Sequence, residues 1–301
     1  MKRGSASAAA AVAAILFGAS VVAIRIAVRD VPPLTLALFR FAQGSLVLLI
    51  GLVAFRRDLL RIDRRDLPYL ALLGVIFYTI FPITFNAGMQ YVEASRGALV
   101  LATMPLWTIA LARLVVRERL TPRQMAGVVL SIAGVAIVMI DRHALGEGAR
   151  NSVKGDLLLI TTALCGAIYN VLAKRVLGRY AGITVTFYAM AIGTLFLLPA
   201  SFVEHAPSVA ALSGETLAMV IFAGVFGGAL AFSLWTSALG RLSPTEVSVY
   251  INLNPMAATL LGATVLHERL SIVFGVGFVA VVAGVMIVNW THGTREHELY
   301  E

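Results

Sequence analysis

Cysteine and the sequence signatures of catalysis are scarce in this chain. Cys165 is the only cysteine among 301 residues, which excludes an intrachain disulfide and a cysteine-based metal cluster. There is no Gly-x-x-x-x-Gly-Lys-Ser/Thr loop for ATP, no His-Glu-x-x-His motif and no Gly-x-Ser-x-Gly motif. The five histidines lie in loops or tails, at spacings that match no metal-ligand pattern. We therefore expect no enzyme activity, no metal and no cofactor.

Charge is scarce as well. Charged residues make up 13% of the chain, against about 25% in an ordinary soluble domain. Hydrophobic residues make up 59%, and the mean hydropathy is +0.88. A chain this apolar cannot be enclosed in one water-surrounded core, which indicates an integral membrane protein whose partner is the lipid bilayer. The net charge of +8 comes from short Lys/Arg clusters between apolar runs, not from a basic patch with interleaved aromatics, so nucleic acid is not an expected partner.

Apolar runs recur along the chain at about the 20 residues that a helix needs to cross about 30 Å of hydrocarbon. Strand-like alternation is absent, and helices satisfy their backbone polar groups internally. The sequence therefore predicts an all-α integral membrane protein with ten transmembrane helices. The predicted spans are 6–28, 34–55, 67–90, 94–117, 122–140, 154–177, 183–203, 215–240, 244–266 and 270–290. Residues 121–124 and 243–246 carry capping-box signals for the starts of the fifth and ninth spans.

The distribution of Lys and Arg predicts the orientation. With the N-terminus in the cytoplasm, the inner segments hold fifteen of the 24 Lys and Arg residues and the outer segments hold six. Cytoplasmic loops of membrane proteins carry this excess of positive charge. Both termini are therefore predicted to be cytoplasmic.

Two stretches of sequence, 105–138 and 255–288, repeat one pattern 150 residues apart. They align without a gap, and more than a third of the aligned positions are identical, including a Glu-Arg-Leu turn in each. An odd number of helices per repeat makes the second copy begin on the opposite side of the membrane. Inverted repeats of this kind are typical of transporters with a binding site near the midplane. The predicted divisions are a first five-helix repeat at 1–140, a periplasmic linker at 141–153, a second, inverted repeat at 154–290, and a polar cytoplasmic tail at 291–301.

The ten spans, the inverted repeat and the pattern Pro105…Glu118-Arg119-Leu120…Gly127…Gly134 with its echo resemble the EamA-type branch of the drug/metabolite transporter superfamily. The resemblance covers residues 6–290. Within the branch, the overall similarity is greatest to the YddG-type exporters of aromatic amino acids. The resemblance implies a central cavity lined by the first, third, fourth, sixth, eighth and ninth helices. It also implies export of small metabolites from a bacterial inner membrane, by alternating access.

Polar and aromatic side chains in mid-span are the candidates for the cavity lining, because facing lipid would be costly for them. Tyr and Trp rings offer apolar surface with a hydrogen-bonding tip, and Asn amides bind an amine or a carboxylate without carrying charge. That set suits a zwitterionic small-molecule substrate. The candidate substrate-binding residues are Tyr78, Phe85, Asn86, Trp107, Tyr169, Asn170, Trp235, Tyr250, Asn252 and Asn254. The alternative for each one alone is an interhelical contact worth about 0.6–2 kcal/mol.

Two prolines and two arginines stand out inside the spans. Pro105 and Pro255 occupy matching mid-span positions, where each removes a backbone hydrogen bond. We predict that they are hinges; static kinks are the alternative. Arg25 and Arg40 lie about 5–10 Å from the outer ends of their spans, at 1.5 Å per residue. We expect them to reach the interface or to pair with Asp30.

The favoured function is a secondary transporter that exports amino acids, aromatic and other neutral ones. No Asp or Glu lies at a midplane position to relay protons, which favours facilitated transport.

A broad exporter of hydrophobic cations would need a carboxylate or an aromatic cage. A nucleotide-sugar or phosphate-ester exchanger would need basic residues in the cavity, and Arg40 facing the cavity would favour it. A channel would need a charged ring or a filter sequence, and neither occurs. The oligomeric state is open between monomer and dimer.

Overall fold

The structure is a computed structural model that describes residues 2–91, 100–118, 120–144, 153–204, 212–266 and 272–290. Within these ranges the regular secondary structure is helical, and no strand occurs. The all-α prediction is therefore confirmed for the described residues. The Glu-Arg-Leu turn at 268–270, most of the predicted linker and the predicted tail lie outside them.

Apart from two short 3₁₀ helices, Arg57–Leu60 and Arg64–Asp66, the described helices form ten rods. Seven of them are single helices: α1 (Arg3–Ala27), α2 (Pro33–Phe55), α4 (Met104–Val115), α5 (Pro122–Ala144), α6 (Val153–Leu177), α7 (Gly182–Ser201) and α10 (Ile272–Asn289). Three rods change helix type along their length: α3 (Leu67–Gly74, Val75–Ile80, Phe81–Met89), α8 (Gly214–Gly224, Val225–Leu230, Ala231–Leu239) and α9 (Pro244–Ser248, Val249–Asn252, Leu253–Leu266). Because α5 continues to Ala144, the first residues of the predicted linker are helical.

Six helices of the described ranges are long and apolar enough to cross a membrane. They are Arg3–Ile24, Pro33–Phe55, Arg64–Met89, Val153–Leu177, Gly182–Pro199 and Gly214–Leu239. Three further apolar helices, Met104–Val115, Pro122–Ile137 and Gly275–Asn289, are shorter than a full span. A multi-pass membrane protein follows from these lengths and compositions, whereas ten spans stay a prediction.

Both predicted capping boxes are confirmed. At the start of α5, the Gln124 amide nitrogen donates to Thr121 Oγ1 at 3.2 Å, and the Thr121 amide nitrogen donates to Gln124 Oε1 at 3.0 Å. At the start of α9, Ser243 and Glu246 make the same reciprocal pair. Each box satisfies two backbone donors that a helix start leaves without partners.

The third helix of each half contains a π-helical turn at the same place. Val75–Ile80 in α3 and Val225–Leu230 in α8 are separated by the 150 residues of the sequence repeat. π-helical turns are rare and occur often at functional sites. The two halves therefore share an irregular feature as well as a helix order.

The last helices of the two halves, α5 and α10, touch backbone to backbone. A Cβ on Gly127 would lie 2.8 Å from Gly284 O, and a Cβ on Gly134 would lie 2.7 Å from Gly277 O. The early glycine of each helix thus faces the late glycine of the other, so the two helices run antiparallel. Each helix therefore contributes one early and one late glycine to the contact, as a two-fold axis between the halves would require.

The second helix of each half makes an equivalent close backbone contact with the third helix of the other half. A Cβ on Gly193 in α7 would lie 2.5 Å from Gly74 O in α3. A Cβ on Gly44 in α2 would lie 3.3 Å from Gly224 O in α8. Small residues permit such close backbone approach in membrane proteins. The halves are therefore interlocked rather than placed side by side.

Charged groups meet at the end of the bundle where α1 begins, called here the basic end. Arg3 donates to Glu246, and Arg179 Nη1 donates to Asp66 Oδ2 at 2.9 Å. Lys174 Nζ donates to two carbonyl groups at the end of α8, at 2.8 and 3.0 Å. The Arg3 and Arg179 contacts join the first half of the chain to the second at this end, and the Lys174 contacts join α6 to the end of α8 and the turn after it within the second half.

The first Glu-Arg-Leu turn also lies at the basic end. Arg117 has a φ of 54°, the left-handed conformation that commonly ends a helix, and the Glu118 amide nitrogen donates to Ala112 O at 3.1 Å. The Glu118 side chain lies beside Ser243 and Thr245 at the start of α9. Burial raises the pKa of the Glu118 carboxyl from its ordinary value, while those neighbours and their hydrogen bonds act in the opposite direction.

Acidic side chains hold the opposite end together. Glu204 accepts from the Leu34 amide nitrogen at 3.1 Å and from the Thr35 amide nitrogen at 2.8 Å, so it caps the start of α2. Asp30 accepts from the Thr216 hydroxyl at the start of α8. Each carboxylate connects one half of the chain to the other.

Substitution of Gly284 by Ala tests the contact between α5 and α10. The new Cβ would lie 2.5 Å from Gly127 O and 2.6 Å from the Ser131 amide nitrogen, so the backbones must separate. We expect the free energy of unfolding to fall by about 1–3 kcal/mol, as for overpacked cores. The measurement is thermal melting of the purified protein in detergent. Gly275→Ala on the same helix is the control, because nothing lies within 4 Å of its Cβ position; equal melting of the two variants would refute the contact.

Substitution of Glu246 by Gln tests the junction between α1 and α9. Gln retains the acceptor that the capping box needs, but the Arg3 guanidinium loses its carboxylate partner. Hydrogen bonds to charged groups contribute about 1.5–3 kcal/mol, so we expect a loss of about that size in the free energy of unfolding. Glu215→Gln, at an exposed position in the first turn of α8, should change little. Equal effects of the two changes on melting would show that the junction contributes no stability.

Candidate functional site

A group of contacting aromatic rings lies in the buried core, and we call it the aromatic cluster. Its rings come from α1, α2, α3, α6 and α8, so it joins the two halves of the chain. Its members are Phe17, Phe41, Phe77, Tyr78, Phe81, Tyr169, Phe232 and Trp235. Three of them, Tyr78, Tyr169 and Trp235, are among the predicted substrate-binding residues.

The ring of Phe232 lies at the middle of the aromatic cluster. Its centroid is 4.7 Å from that of Phe17, 5.1 Å from that of Tyr78 and 5.5 Å from that of Phe77. The Phe77 ring stacks on Tyr169 with centroids 4.2 Å apart and planes 15° apart. Aromatic pairs contribute about 0.5–1.5 kcal/mol beyond the burial of their area. The cluster is thus well packed, and a ligand enters it only if the rings move apart.

Polar groups border the aromatic cluster, and some of them are incompletely hydrogen-bonded. Tyr169 Oη and Thr236 Oγ1 are 3.0 Å apart, and Trp235 Nε1 donates to Asn170 Oδ1 at 3.0 Å. The Asn170 Nδ2 group and Ser233 Oγ are buried and have no hydrogen-bond partner in the described structure. Unpaired polar groups inside a protein are unfavourable and require an explanation. A bound polar ligand that accepts from these donors would remove the penalty.

Three predicted residues lie to one side of the aromatic cluster. Phe85 stacks on Phe81 with centroids 6.4 Å apart. Trp107 packs with Phe81 against a small core around Met104, and its Nε1 donates to Thr103 Oγ1 of the same helix at 3.2 Å. Asn86 Nδ2 donates to Pro33 O at 3.1 Å, which ties α3 to the start of α2. Phe85 thus reaches the cluster through Phe81, Trp107 packs against the same small core as Phe81, and Asn86 makes an interhelical contact.

The predicted residues of α9 lie in a different region. Tyr250 lines a cleft of about 450 Å³ between α1, α9 and α10, together with Ser7, Asn289 and Trp290. Asn252 Nδ2 donates to Ser131 Oγ at 3.0 Å and so joins α9 to α5. The backbone of Asn254 presses against α1, where its carbonyl lies 2.6 Å from the Cβ position of Gly18. The ten predicted residues therefore do not form one constellation in this conformation.

Both predicted hinge prolines stand next to a break in helix geometry. Pro105 is the second residue of α4 and follows a turn at Ala102 and Thr103. Pro255 follows the 3₁₀ segment Val249–Asn252 of α9. The breaks occur at matching places of the two halves. Hinge motion stays a prediction.

Several members of the site were not predicted from the sequence. Phe232 lies three positions before Trp235, so the spacing of one helix face gave a signal for it. Phe77 lies directly before Tyr78 and had no such signal. Arg40 was expected to reach the interface or to pair with Asp30, but Asp30 accepts from Thr216 instead. The Arg40 guanidinium lies 5.3 Å from the centroid of the Phe41 ring, beside the aromatic cluster.

Comparison with known proteins identifies the family. The model of the EamA-like transporter family matches residues 4–140 and again residues 153–290. A probable terminal-alkyne amino-acid exporter of Streptantibioticus cattleyicolor is 30% identical over 257 residues, which cover 85% of this chain and 83% of that protein. An uncharacterized transporter of Archaeoglobus fulgidus is 27% identical over 275 residues, which cover 91% of this chain and 94% of that protein.

A solved crystal structure has the same fold. It superposes with a TM-score of 0.82 over 95% of this chain and 96% of its own, at 21% sequence identity. The two family matches account for nearly all of the described helices, and the relatives cover them at nearly full length. The chain therefore belongs to the EamA-like transporter family.

Proposed function

We propose that the chain is a secondary transporter that exports neutral amino acids, above all those with aromatic or other apolar side chains. The observation that carries the proposal is the aromatic cluster, which joins both halves and is bordered by unpaired polar groups such as Asn170 Nδ2. Rings provide surface for an apolar side chain, and amide and hydroxyl groups provide partners for an amine or a carboxylate. The printed name of the Streptantibioticus relative, a probable amino-acid exporter, supports the same substrate class.

The proposed topology has ten spans, two inverted five-helix repeats and both termini in the cytoplasm of a bacterial cell, with the protein in the inner membrane. Two observations support it. The positively charged side chains of Arg3, Lys174 and Arg179 lie at one end of the bundle, and the positive-inside rule assigns such an end to the cytoplasm. The antiparallel contact of α5 with α10 is what two copies of opposite orientation would make.

Alternating access is the proposed mechanism. The ion pairs of the basic end and the carboxylate contacts of the opposite end each join the two halves, so either set can open while the other stays closed. The proposed hinges are the breaks beside Pro105 and Pro255, which lie at matching positions of α4 and α9. Exchange of conformation between two similar halves then moves the aromatic cluster from access at one end to access at the other.

Transport without ion coupling is the proposed energetic mode. Acidic side chains of the described residues lie near helix ends or in connecting turns, as Asp30, Asp66 and Glu246 do. Proton-coupled transporters relay protons through carboxylates or histidines inside the membrane. A facilitator needs no such relay, because the outward gradient of its substrate drives export.

A second candidate is an exchanger of anionic metabolites such as phosphate esters. The observation that favours it is the position of Arg40 beside the aromatic cluster. A single guanidinium balances one negative charge of a ligand, and the surrounding aromatic rings favour a ligand that also carries an apolar group. Amino acids therefore remain the first substrate class to test.

The experiment is uptake of radiolabelled neutral amino acids into proteoliposomes that contain the purified protein, with no imposed ion gradient. We expect saturable uptake that ends when the internal and external concentrations are equal, and faster uptake under counterflow. Uptake of phosphate esters without uptake of amino acids would transfer the assignment to the second candidate. Accumulation driven by a proton gradient would contradict facilitated transport.

Substitution of Trp235 by Phe tests whether the aromatic cluster is the substrate site. The ring is retained, but the hydrogen bond to Asn170 Oδ1 is lost. One hydrogen bond contributes about 1 kcal/mol, so we expect the KM for aromatic amino acids to rise about fivefold. Trp290→Phe is the matched control, because Trp290 lines the separate cleft and is 56% exposed. A larger effect of the Trp290 change would place the substrate site in that cleft.

A further inference from the structure

Arg40 is a positively charged side chain in α2 that has neither a hydrogen-bond partner nor an ion-pair partner in the described structure. It lies seven residues inside the helix from Pro33, about 10 Å along the axis at 1.5 Å per residue. Its Nε is buried, and no hydrogen bond or ion pair of the described residues involves the guanidinium. Unpaired charge at such depth is unfavourable in a membrane protein, and intramembrane ionisable residues commonly mark a binding site.

A second buried polar group lies at the same place. Ser20 of α1 is 2% exposed, and its Oγ has no hydrogen-bond partner in the described structure. Both groups surround Gly227 in the π-helical turn of α8: Ser20 Oγ lies 1.8 Å and Arg40 Nη2 lies 4.0 Å from the Cβ position of that glycine. The absence of a side chain at Gly227 therefore makes room for two polar groups, and we call Ser20, Arg40 and Gly227 the polar niche.

The sequence repeat shows what this position holds in the other half. Gly227 corresponds to Phe77 at the repeat distance of 150 residues, and each lies in the π-helical turn of its half. In the first half the Phe77 ring fills the space and stacks on Tyr169. Arg40 O contacts the Cβ position of Gly224 as Ala189 O contacts that of Gly74, so Arg40 corresponds to Ala189. The first half thus has an aromatic ring at the position where the second half has a glycine beside a charged side chain.

The carboxylates nearest to α2 have other partners. Asp30 accepts from the Thr216 hydroxyl, and Glu204 accepts from the backbone at the start of α2. Neither of them is therefore the natural counter-ion of Arg40. The described residues therefore supply no hydrogen-bonded or ion-paired counter-ion for Arg40.

The polar niche adjoins the aromatic cluster. The Arg40 Cζ atom lies 5.3 Å from the centroid of the Phe41 ring, and that ring lies 5.3 Å from Tyr78 and 6.0 Å from Phe232. A molecule with an anionic group on Arg40 would therefore place its neighbouring atoms against aromatic surface. The niche also lies where α1 and α2 of the first half meet α8 of the second half.

We propose that the polar niche binds the carboxylate of the transported substrate, with the Arg40 guanidinium and the Ser20 hydroxyl as hydrogen-bond donors. This inference rests on the proposed function, because the substrate it describes is an amino acid whose side chain lies against the aromatic cluster. A guanidinium donates two parallel hydrogen bonds to a planar carboxylate. One arginine and one hydroxyl balance a single negative charge, whereas a phosphate ester carries up to two.

The test compares three probes that differ only at the carboxyl group: L-phenylalanine, its primary amide and phenethylamine. Equilibrium binding is measured on the purified full-length protein in detergent, for the wild type and for Arg40→Gln, Arg40→Lys and Ser20→Ala. We expect the wild type to bind phenylalanine at least tenfold more tightly than the amide. Arg40→Gln should bind all three probes equally, and Arg40→Lys and Ser20→Ala should keep part of the preference. Arg29→Gln is the matched control, since Arg29 is exposed just beyond α1.

A loss of binding that is equal for the acid and the amide in Arg40→Gln would overturn the inference, because it would show a structural effect. Melting of the ligand-free variants separates folding from recognition. Arg40→Met removes a charge that has no ion-pair partner among the described residues and should melt at the same temperature as the wild type or higher. Melting well below the wild type would show that Arg40 supports the fold and would also overturn the inference.

Failure of the proposed function has a different signature. If the wild type neither binds nor transports any amino acid, the niche is tested by thermal stabilisation with phenylacetate and with inorganic phosphate. Stabilisation by phenylacetate that disappears in Arg40→Gln would retain the carboxylate niche for another substrate. Stabilisation by phosphate alone, or by neither anion, would overturn it.

Discussion

Close contact between the backbones of the two halves is the constraint on which the rest of the structure depends. Glycine takes part on both sides, at Gly127 with Gly284 and at Gly74 with Gly193. Inside a membrane the hydrophobic effect does not drive helices together, so packing at small residues has to supply the association. Because each half contributes the same glycines, the contacts come in symmetric pairs. Any rearrangement that preserves these pairs has to move the joined helices of both halves together.

The two halves have matching backbones, so the positions at which their side chains differ indicate where the halves have different roles. Both halves turn through a π-helical segment at the same place, but the first carries Phe77 and Tyr78 there and the second carries Gly227 and Gly228. Duplication gives two equivalent positions near the centre, and each can then be adapted separately. Here one position became a stacked aromatic wall and the other became a niche with an arginine. A substrate with one apolar and one anionic end matches that difference in both respects.

The helical fold was predictable because its signals are local or periodic. Apolar length predicts helices in lipid, capping residues mark the starts of α5 and α9, and the repeat of 150 residues predicts equivalent glycines. The candidate site was less predictable. Tyr78, Tyr169 and Trp235 do meet, because mid-span aromatics of α3, α6 and α8 converge, whereas Tyr250 and Asn252 face α10 and α5. A helix face can be predicted from spacing, but the neighbour that it meets depends on packing. Arg40 was misjudged for the same reason, since its niche exists only because a glycine of a distant helix lies opposite.

The conformation described has its rings in contact and both ends joined by polar contacts. The rings lose contact area when a ligand separates them, so a ligand must provide surface of its own in return. Arg40 and Ser20 act in the opposite sense, because Arg40 Nε and Ser20 Oγ are buried without a hydrogen-bond partner and a suitable anion would accept hydrogen bonds from both side chains. The aromatic cluster thus resists opening, whereas the polar niche favours occupancy. A molecule with an apolar end for the aromatic cluster and an anionic end for the polar niche compensates for the ring contacts that are lost when the rings separate. A molecule that lacks either end does not. Selectivity in such a transporter would then come from the energy of changing state rather than from the shape of a permanent cavity.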